Sequence, residues 1–168
     1  MAAGSPGAHP RRLRRSANRA GLLLRPAAGA PCPDRGQAQT DSPLNLVGYA
    51  KRIFNEAEYD AVWCVVDVDQ FDIERARTRA RATSVELAVS DPCFELWLLL
   101  HFKAHNAFIE KGKSACALLA EYVPGYDKRL DFSRFDDRVE AAIKRAKELP
   151  AGNPSTDVWR LVEMLLKH

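Results

Sequence analysis

Two aspartates separated by one residue, Asp67 and Asp69, are the strongest candidates for chemistry in this sequence. They follow an apolar, β-branched run that is too short for a typical helix, so residues 62–69 are predicted to form a buried parallel strand. Because side chains alternate along a strand, we expect both carboxylates on one face, at the carboxyl end where open α/β sheets bind ligands. The two acids repel each other and lose hydration, and Mg2+ (or Mn2+) would offset both costs. The pair therefore predicts a metal site.

Several chemistries use such a pair. In metal-dependent phosphodiester cleavage, carboxylates hold Mg2+, which activates water and stabilises the leaving oxygen. In a phosphatase of the haloacid-dehalogenase type, Asp67 would be a covalent nucleophile and Asp69 an acid/base, but that motif has Thr or Val where Phe71 stands. Nucleotide-sugar binding is a third use of the pattern. The structural alternative is a pair of capping acids at a strand end.

The elements on either side of this strand are predicted to be helices. Asp41 or Ser42 caps a helix that has Pro43 at its first position. Its apolar stripe consists of Val47, Ala50, Ile53 and Phe54. Asp72 caps a charged helix at about 73–82, and its arginines are Arg75, Arg77, Arg79 and Arg81. These arginines indicate either a solvated face or phosphate contacts beside the acidic site.

A second strand is predicted at 85–90, and Asp91-Pro92 after it is a turn and helix-start signal. The apolar run at 94–102 then predicts a buried helix. Glu95 lies in its first turn, where the helix dipole favours negative charge. A role for Glu95 in the site is an equal alternative, because the residue follows a strand end on the ligand edge.

The rest of the chain is predicted to be helical, at about 113–122, 136–148 and 156–167, with Ser155 or Thr156 capping the last helix. The buried stripes of the last two helices consist of Val139, Ala142, Ile143 and Ala146, and of Val158, Leu161, Val162 and Leu165. Alternating strands and helices followed by a helical end predict an α/β fold with a small parallel-type sheet.

The chain divides into two parts by composition. Residues 1–40 contain seven arginines and one acid, with no lysine, glutamate or aromatic residue. We expect this basic segment to be disordered or not to be the native start of the domain, and residues 41–168 to form the α/β domain. Against a net charge of +3 for the whole chain, residues 41–168 are mildly acidic. The four cysteines lack a C-x-x-C pair and favour reduced, mostly buried thiols. We expect a cytoplasmic protein without membrane segments.

Two longer stretches resemble the RloB-like family: residues 65–71 with the D-x-D pair, and residues 88–102 with the pattern S-x-P-x-F-E-x-W. Residues 125–128 and 153–156 fit the family pattern too. The resemblance covers roughly residues 41–168. It implies a Toprim-like (Rossmannoid) domain, Mg2+ at the acidic strand end, and nuclease activity on DNA or RNA in bacterial anti-phage defence. An AAA-type ATPase encoded nearby is the partner it implies.

The resemblance also implies roles for particular residues. Asp67 and Asp69 match the metal-binding D-x-D pair, while Ser90 and Glu95 match the S-x-P-x-F-E pattern and are expected near the metal. Lys128 matches a Y-x-K pattern and is expected to contact a phosphate. His101, a single histidine on an apolar helix, is interpreted mainly as a core residue.

One element of the family pattern is not found. RloB-like sequences carry a glutamate in an E-G-x-x-T-E-like stretch near the N-terminus, whereas here no glutamate precedes Glu56. The expected function is therefore a Mg2+-dependent nuclease that is inactive if this ligand is missing. The alternatives are a haloacid-dehalogenase-type phosphatase and a non-catalytic accessory module of a defence ATPase.

Overall fold

The computed structural model describes residues 42–53, 61–68, 72–126 and 131–167. Their centre is a three-stranded sheet in the order β1 (Trp63–Asp67), β2 (Glu86–Asp91) and β3 (Ser155–Thr156). Strands β1 and β2 are parallel, and β3 pairs antiparallel with β2. Helices flank the sheet and a helix ends the described chain, so the predicted α/β fold is confirmed.

Strand β1 is buried along its whole length because its two sets of alternating side chains enter two different cores. Val62, Cys64 and Val66 belong to one hydrophobic cluster, and Trp63 and Val65 belong to the other. This alternation explains the uninterrupted apolar run in the sequence.

Helices α1 (Pro43–Ile53) and α2 (Ile73–Ala82) cover one face of the sheet. Both begin at the predicted caps: the Asn45 N–H donates to Ser42 Oγ at 3.3 Å, and the Arg75 N–H donates to Asp72 Oδ1 at 3.2 Å. The residues of these two helices that belong to this hydrophobic cluster are Val47, Ala50, Ile73, Ala76 and Ala80. Of the predicted α1 stripe, the side chain of Ile53 and the whole of Phe54 lie outside the described part of the chain.

The other face is covered by α3 (Glu95–Leu100), α4 (Gly112–Ala120), α5 (Val139–Lys147) and α6 (Val158–Leu166). All six residues of α3 are buried, as the apolar run predicts. Two short 3-10 helices, Phe132–Arg134 and Asp136–Arg138, precede α5, so the first turn of the predicted helix 136–148 is tighter than an α-helix. None of the helices in the described ranges has the length and hydropathy needed to cross a membrane.

Two expectations for the end of the chain are wrong in detail. Ser155 and Thr156 form β3 rather than the start of a helix, because they bond to the free side of β2. Asp157 also donates its N–H to the Val89 carbonyl at 2.7 Å, so α6 begins at Val158. Leu165 is 57 % exposed although its spacing places it in the buried stripe, because the last turn of α6 extends past the core.

The cysteines only partly follow the expectation of reduced thiols. Cys64 and Cys93 are free and buried in the two cores. Burial raises the pKa of Cys64 to about 11, so this thiol stays protonated at neutral pH. Cys116 is disulfide-bonded, and the prediction of a reduced thiol is wrong for that residue.

Candidate active site

Asp67 is the last residue of β1 and lies at the carboxyl edge of the sheet, as its sequence position predicts. It is the register partner of Ser90 in β2, and the Val68 N–H continues the ladder by donating to the Ser90 carbonyl at 2.9 Å. Because side chains alternate, Asp67 lies on the same face as Val65, toward α3. Its side chain is buried, with 8 % exposure.

Glu95 is brought to this edge by the turn after β2. It is the first residue of α3 and is 7 % exposed, which is unusual for a carboxylate. The Tyr126 hydroxyl donates to Glu95 Oε1 at 3.4 Å, across a sequence separation of 31 residues. A favourable interaction with the helix dipole does not require the carboxylate to be buried or to accept a hydrogen bond from a distant side chain. The burial of Glu95 and its bond to Tyr126 therefore favour a role in the site.

The charges of Asp67 and Glu95 act on the same two neighbours. Burial raises the pKa of the Tyr126 phenol well above its usual range, and the negative charges of Glu95 and then Asp67 raise it further. Burial likewise raises the pKa of the Cys93 thiol, again with contributions from Glu95 and then Asp67. The four side chains therefore form one electrostatic cluster, in which the phenol and the thiol remain protonated. Both donate to Glu95, whereas Asp67 acts on them through its charge.

Ser90 lies beside Asp67 but is engaged within the sheet. It is fully buried, and its Oγ shares a hydrogen bond with Thr156 Oγ1 at 2.8 Å. Thr156 Oγ1 also accepts from the Val158 N–H at 3.3 Å. These bonds join β2, β3 and the start of α6 directly behind the acidic edge. A contact between Ser90 and a metal or substrate stays a prediction.

Asp67 and Glu95 suit a magnesium ion in part. Mg2+ commonly binds through one or two carboxylates, with water and substrate phosphate supplying the other ligands. Two buried carboxylates that influence the same neighbours are the donor type that this ion prefers, and a cation would offset their desolvation. Within the described ranges, no group of three or more His, Cys, Asp or Glu side chains is arranged to hold a metal. Asp69 and Lys128, predicted as a ligand and a phosphate contact, lie outside the described residues.

Sequence reasoning singled out the motifs but missed several of the residues in them that make the contacts. Tyr126 belongs to the Y-x-K pattern, of which only the lysine was selected. Cys93 lies inside the S-x-P-x-F-E-x-W pattern. Thr156 was considered as a possible helix cap and as part of the 153–156 pattern, without a contact to Ser90. The signal available for Tyr126 was its place in that pattern, since a phenol near a buried carboxylate has an obvious hydrogen-bonding use.

His101 does not belong to this cluster. Its ring Nδ1 lies 3.0 Å from the Trp97 carbonyl, and the ring packs edge-on against Trp97 and Phe135. Burial lowers the pKa of His101, with smaller contributions in the same direction from Arg145 and Arg138. The interpretation of His101 as a core residue is therefore supported.

Comparison with known proteins places the chain in a family. A family model described as RloB-like protein matches residues 12–165, which is most of the sequence. The chain belongs to the RloB-like family. The match begins inside the basic segment, so it reaches further toward the N-terminus than the motifs alone, and the domain boundary at 40/41 stays a prediction. No curated protein and no solved structure matches this RloB-like chain.

Proposed function

We propose that this RloB-like protein is a Mg2+-dependent (or Mn2+-dependent) nuclease that cleaves phosphodiester bonds in DNA or RNA, as part of bacterial anti-phage defence. The observation that carries the proposal is the burial of Asp67 and Glu95 in one cluster at the carboxyl edge of the sheet. Burying two carboxylates costs free energy. Acids that only cap a strand end could stay exposed and avoid this cost. A bound cation would offset this cost, and it would place a positive charge where a substrate phosphate can bind.

The chain's own residues have distinct roles in this proposal. Asp67 and Glu95 would hold the cation, and we expect Asp69 to join them. The cation would supply positive charge to the scissile phosphate and acidify water. Tyr126 acts as a positioning residue, because its hydroxyl fixes the direction of the Glu95 carboxylate. Lys128, two residues further on, is expected to contact a phosphate oxygen.

The test is cleavage of labelled single-stranded and duplex DNA and RNA by the full chain in Mg2+, Mn2+ or EDTA. Asp67→Asn and Glu95→Gln are each expected to lower the rate by about 100-fold or more, since even outer-shell partners of a metal cost 10–100-fold. The exposed residues Asp137 and Glu140 supply matched controls as Asp137→Asn and Glu140→Gln, which should leave the rate unchanged. Cleavage that survives Asp67→Asn combined with Asp69→Asn would refute the proposal.

The Tyr126→Phe variant tests whether Tyr126 positions the Glu95 carboxylate or is itself required to bind the metal. Removing the hydroxyl should lower the metal affinity and the rate by roughly tenfold each, without abolishing either. Exposed Tyr122, changed to Phe, is the control. Equal rates for both tyrosine variants would show that the bond to Glu95 does not serve the reaction.

The two alternative functions give different results in the same experiments. A phosphatase of the haloacid-dehalogenase type predicts a phosphorylated Asp67 that mass spectrometry detects. An accessory module predicts co-purification with an AAA-type ATPase and no Mg2+ binding by calorimetry. If the N-terminal glutamate of the family pattern is missing, cation binding without cleavage is expected, and supplying that segment should restore the rate.

A further inference from the structure

Helices α1 and α2 carry an uneven distribution of charge. They contain one acid, Glu74, and six cations: Lys51, Arg52, Arg75, Arg77, Arg79 and Arg81. Arg77 is paired with Glu74 at 3.6 Å and with Asp157 at 3.7 Å. Among the described residues, it is the one cation of the six in an ion pair with an acid. The other five are exposed.

Arg79 lies across the seam between the two helices. A β-carbon at Gly48 would be 3.0 Å from Arg79 Nη2 and 3.3 Å from Cζ, so the guanidinium rests on the α1 backbone where a side chain is lacking. Arg75 precedes Arg79 by one turn on α2, and Arg52 follows Gly48 by one turn on α1. These three arginines therefore line one exposed surface, here called the α1–α2 basic face.

An aromatic ring lies beside these charges. Tyr49, next to Gly48, is 41 % exposed, and the Arg52 guanidinium lies 5.7 Å from the centre of its ring. Exposed aromatic rings beside arginines provide both a stacking surface and a charge for a nucleic acid strand.

The spacing of the arginines along α2 is unfavourable for the helix. Arg75 and Arg79, like Arg77 and Arg81, are like charges four residues apart, which destabilises a helix by a few tenths of a kcal/mol per pair. The helix dipole disfavours Arg75, which lies in the first turn of α2, whereas it favours Arg79 and Arg81 in the last turn. The dipole therefore accounts for some of these cations but not for Arg75. A face that only needs solvation is better served by charges of both signs. The pattern is therefore better explained by a polyanionic ligand than by solubility.

We propose that the α1–α2 basic face, formed by Arg52, Arg75 and Arg79, binds the phosphate backbone of the nucleic acid and leads it to the acidic edge of the sheet; this inference rests on the proposed nuclease function. Helix α2 follows β1 after a short connection, so Arg75 lies nearest that edge. Along α2, Arg75 and Arg79 are about 6 Å apart, at 1.5 Å per residue. This separation matches about two phosphate spacings along one strand of a duplex.

The test measures binding of labelled 20-nucleotide DNA and RNA to the full chain by fluorescence anisotropy in EDTA, at several salt concentrations. Changing Arg52, Arg75 and Arg79 together to Gln is expected to weaken binding by at least about tenfold and to reduce the slope of log affinity against log salt by about 2–3. The same three positions changed to Lys should keep most of the affinity, because charge is preserved.

A control of equal charge change is available at the C-terminal ends of α5 and α6. Lys144 and Lys147 lie in the last turn of α5 and Lys167 follows α6. All three are exposed, and changing them together to Gln should alter affinity by less than about twofold. The arginines of residues 1–40 are present in every variant, so their contribution cancels. Equal losses in the Arg and Lys triple variants, or no loss in either, would overturn the proposal.

Two further outcomes separate the sources of failure. If wild type neither binds Mg2+ or Mn2+ by calorimetry nor cleaves in their presence, but the arginine variant still loses nucleic-acid binding, the basic face stands and the nuclease proposal fails. If the arginine variant binds anionic-lipid vesicles more weakly than wild type does, but binds oligonucleotides equally well, the face binds membranes and the proposal is refuted. Thermal unfolding and circular dichroism of each variant show that these exposed substitutions leave the fold intact.

Discussion

Asn153 fastens the loop before α4 to the end of β2, and replacing it with alanine should destabilise the protein. Its Oδ1 accepts from the Ile109 N–H at 2.9 Å, and its Nδ2 donates to the Ile109 carbonyl at 2.8 Å and to Asp91 Oδ1 at 3.0 Å. Ile109 is 2 % exposed, so water cannot easily replace the lost partners. Each neutral bond is worth about 1 kcal/mol and the bond to a carboxylate somewhat more. The expected loss for Asn153→Ala is about 3 kcal/mol.

The assay is urea unfolding followed by tryptophan fluorescence, with the free energy of unfolding extrapolated to water. A thermal melt should show a midpoint lower by about 10 °C for the same variant. Asn106 is exposed in the same loop, so Asn106→Ala is the matched control and should change stability by less than about 0.5 kcal/mol. Asn153→Asp keeps the acceptor but loses both donated bonds and places a charge beside Asp91, so it should be no more stable than Asn153→Ala.

Equal stability of Asn153→Ala and Asn106→Ala would refute this account of the loop. In that case the backbone groups of Ile109 would have to find water on removal of the side chain, and the loop would be held by the burial of Ile109 alone. A fall in unfolding slope with the midpoint unchanged would be a different result, indicating a change in the denatured ensemble.

Three further predictions concern the cores. Leu99→Ala should cost about 2–5 kcal/mol because Leu99 is fully buried, whereas Leu165→Ala should cost less than about 1 kcal/mol, both measured by urea unfolding. The lowered pKa of His101 means that the unfolded chain takes up a proton there first, so stability is full above about pH 6.5 and falls below it, by at most about 1.4 kcal/mol per pH unit. His101→Gln should flatten this dependence, and an unchanged profile would contradict it. Cys64 should react with a maleimide only after denaturation, as peptide mass spectrometry would show, whereas rapid native labelling would contradict its burial and raised pKa.

Local patterns in the sequence predict many of the helices and strands. The caps at Ser42 and Asp72, the apolar run of β1 and the buried α3 are all set by short-range rules of propensity and periodicity. The same rules place Asp67 at the carboxyl end of a parallel strand, and the motif pattern identifies the family correctly. Such features depend on neighbours within a few residues, so one sequence is enough to predict them.

Contacts between distant segments required the tertiary structure. Tyr126 reaches Glu95 only because the chain between α4 and α5 folds back over the start of α3. Strand β3 is too short for any periodic signal and exists because the edge of β2 has backbone groups to satisfy. Likewise, the position of the Arg79 guanidinium next to Gly48 depends on the packing of α1 against α2.

The arrangement of Asp67 and Glu95 at the edge of the sheet depends partly on local sequence and partly on tertiary packing. The sequence by itself determined that Asp67 ends a strand and that Glu95 begins a helix, since both positions follow from local chain geometry. Only the tertiary structure decided that the two carboxylates share buried neighbours, because that depends on how the turn after β2 returns α3 to the sheet. The identity and local position of each side chain are set by the sequence, whereas the distances between these side chains are set by the packing of elements far apart in the chain.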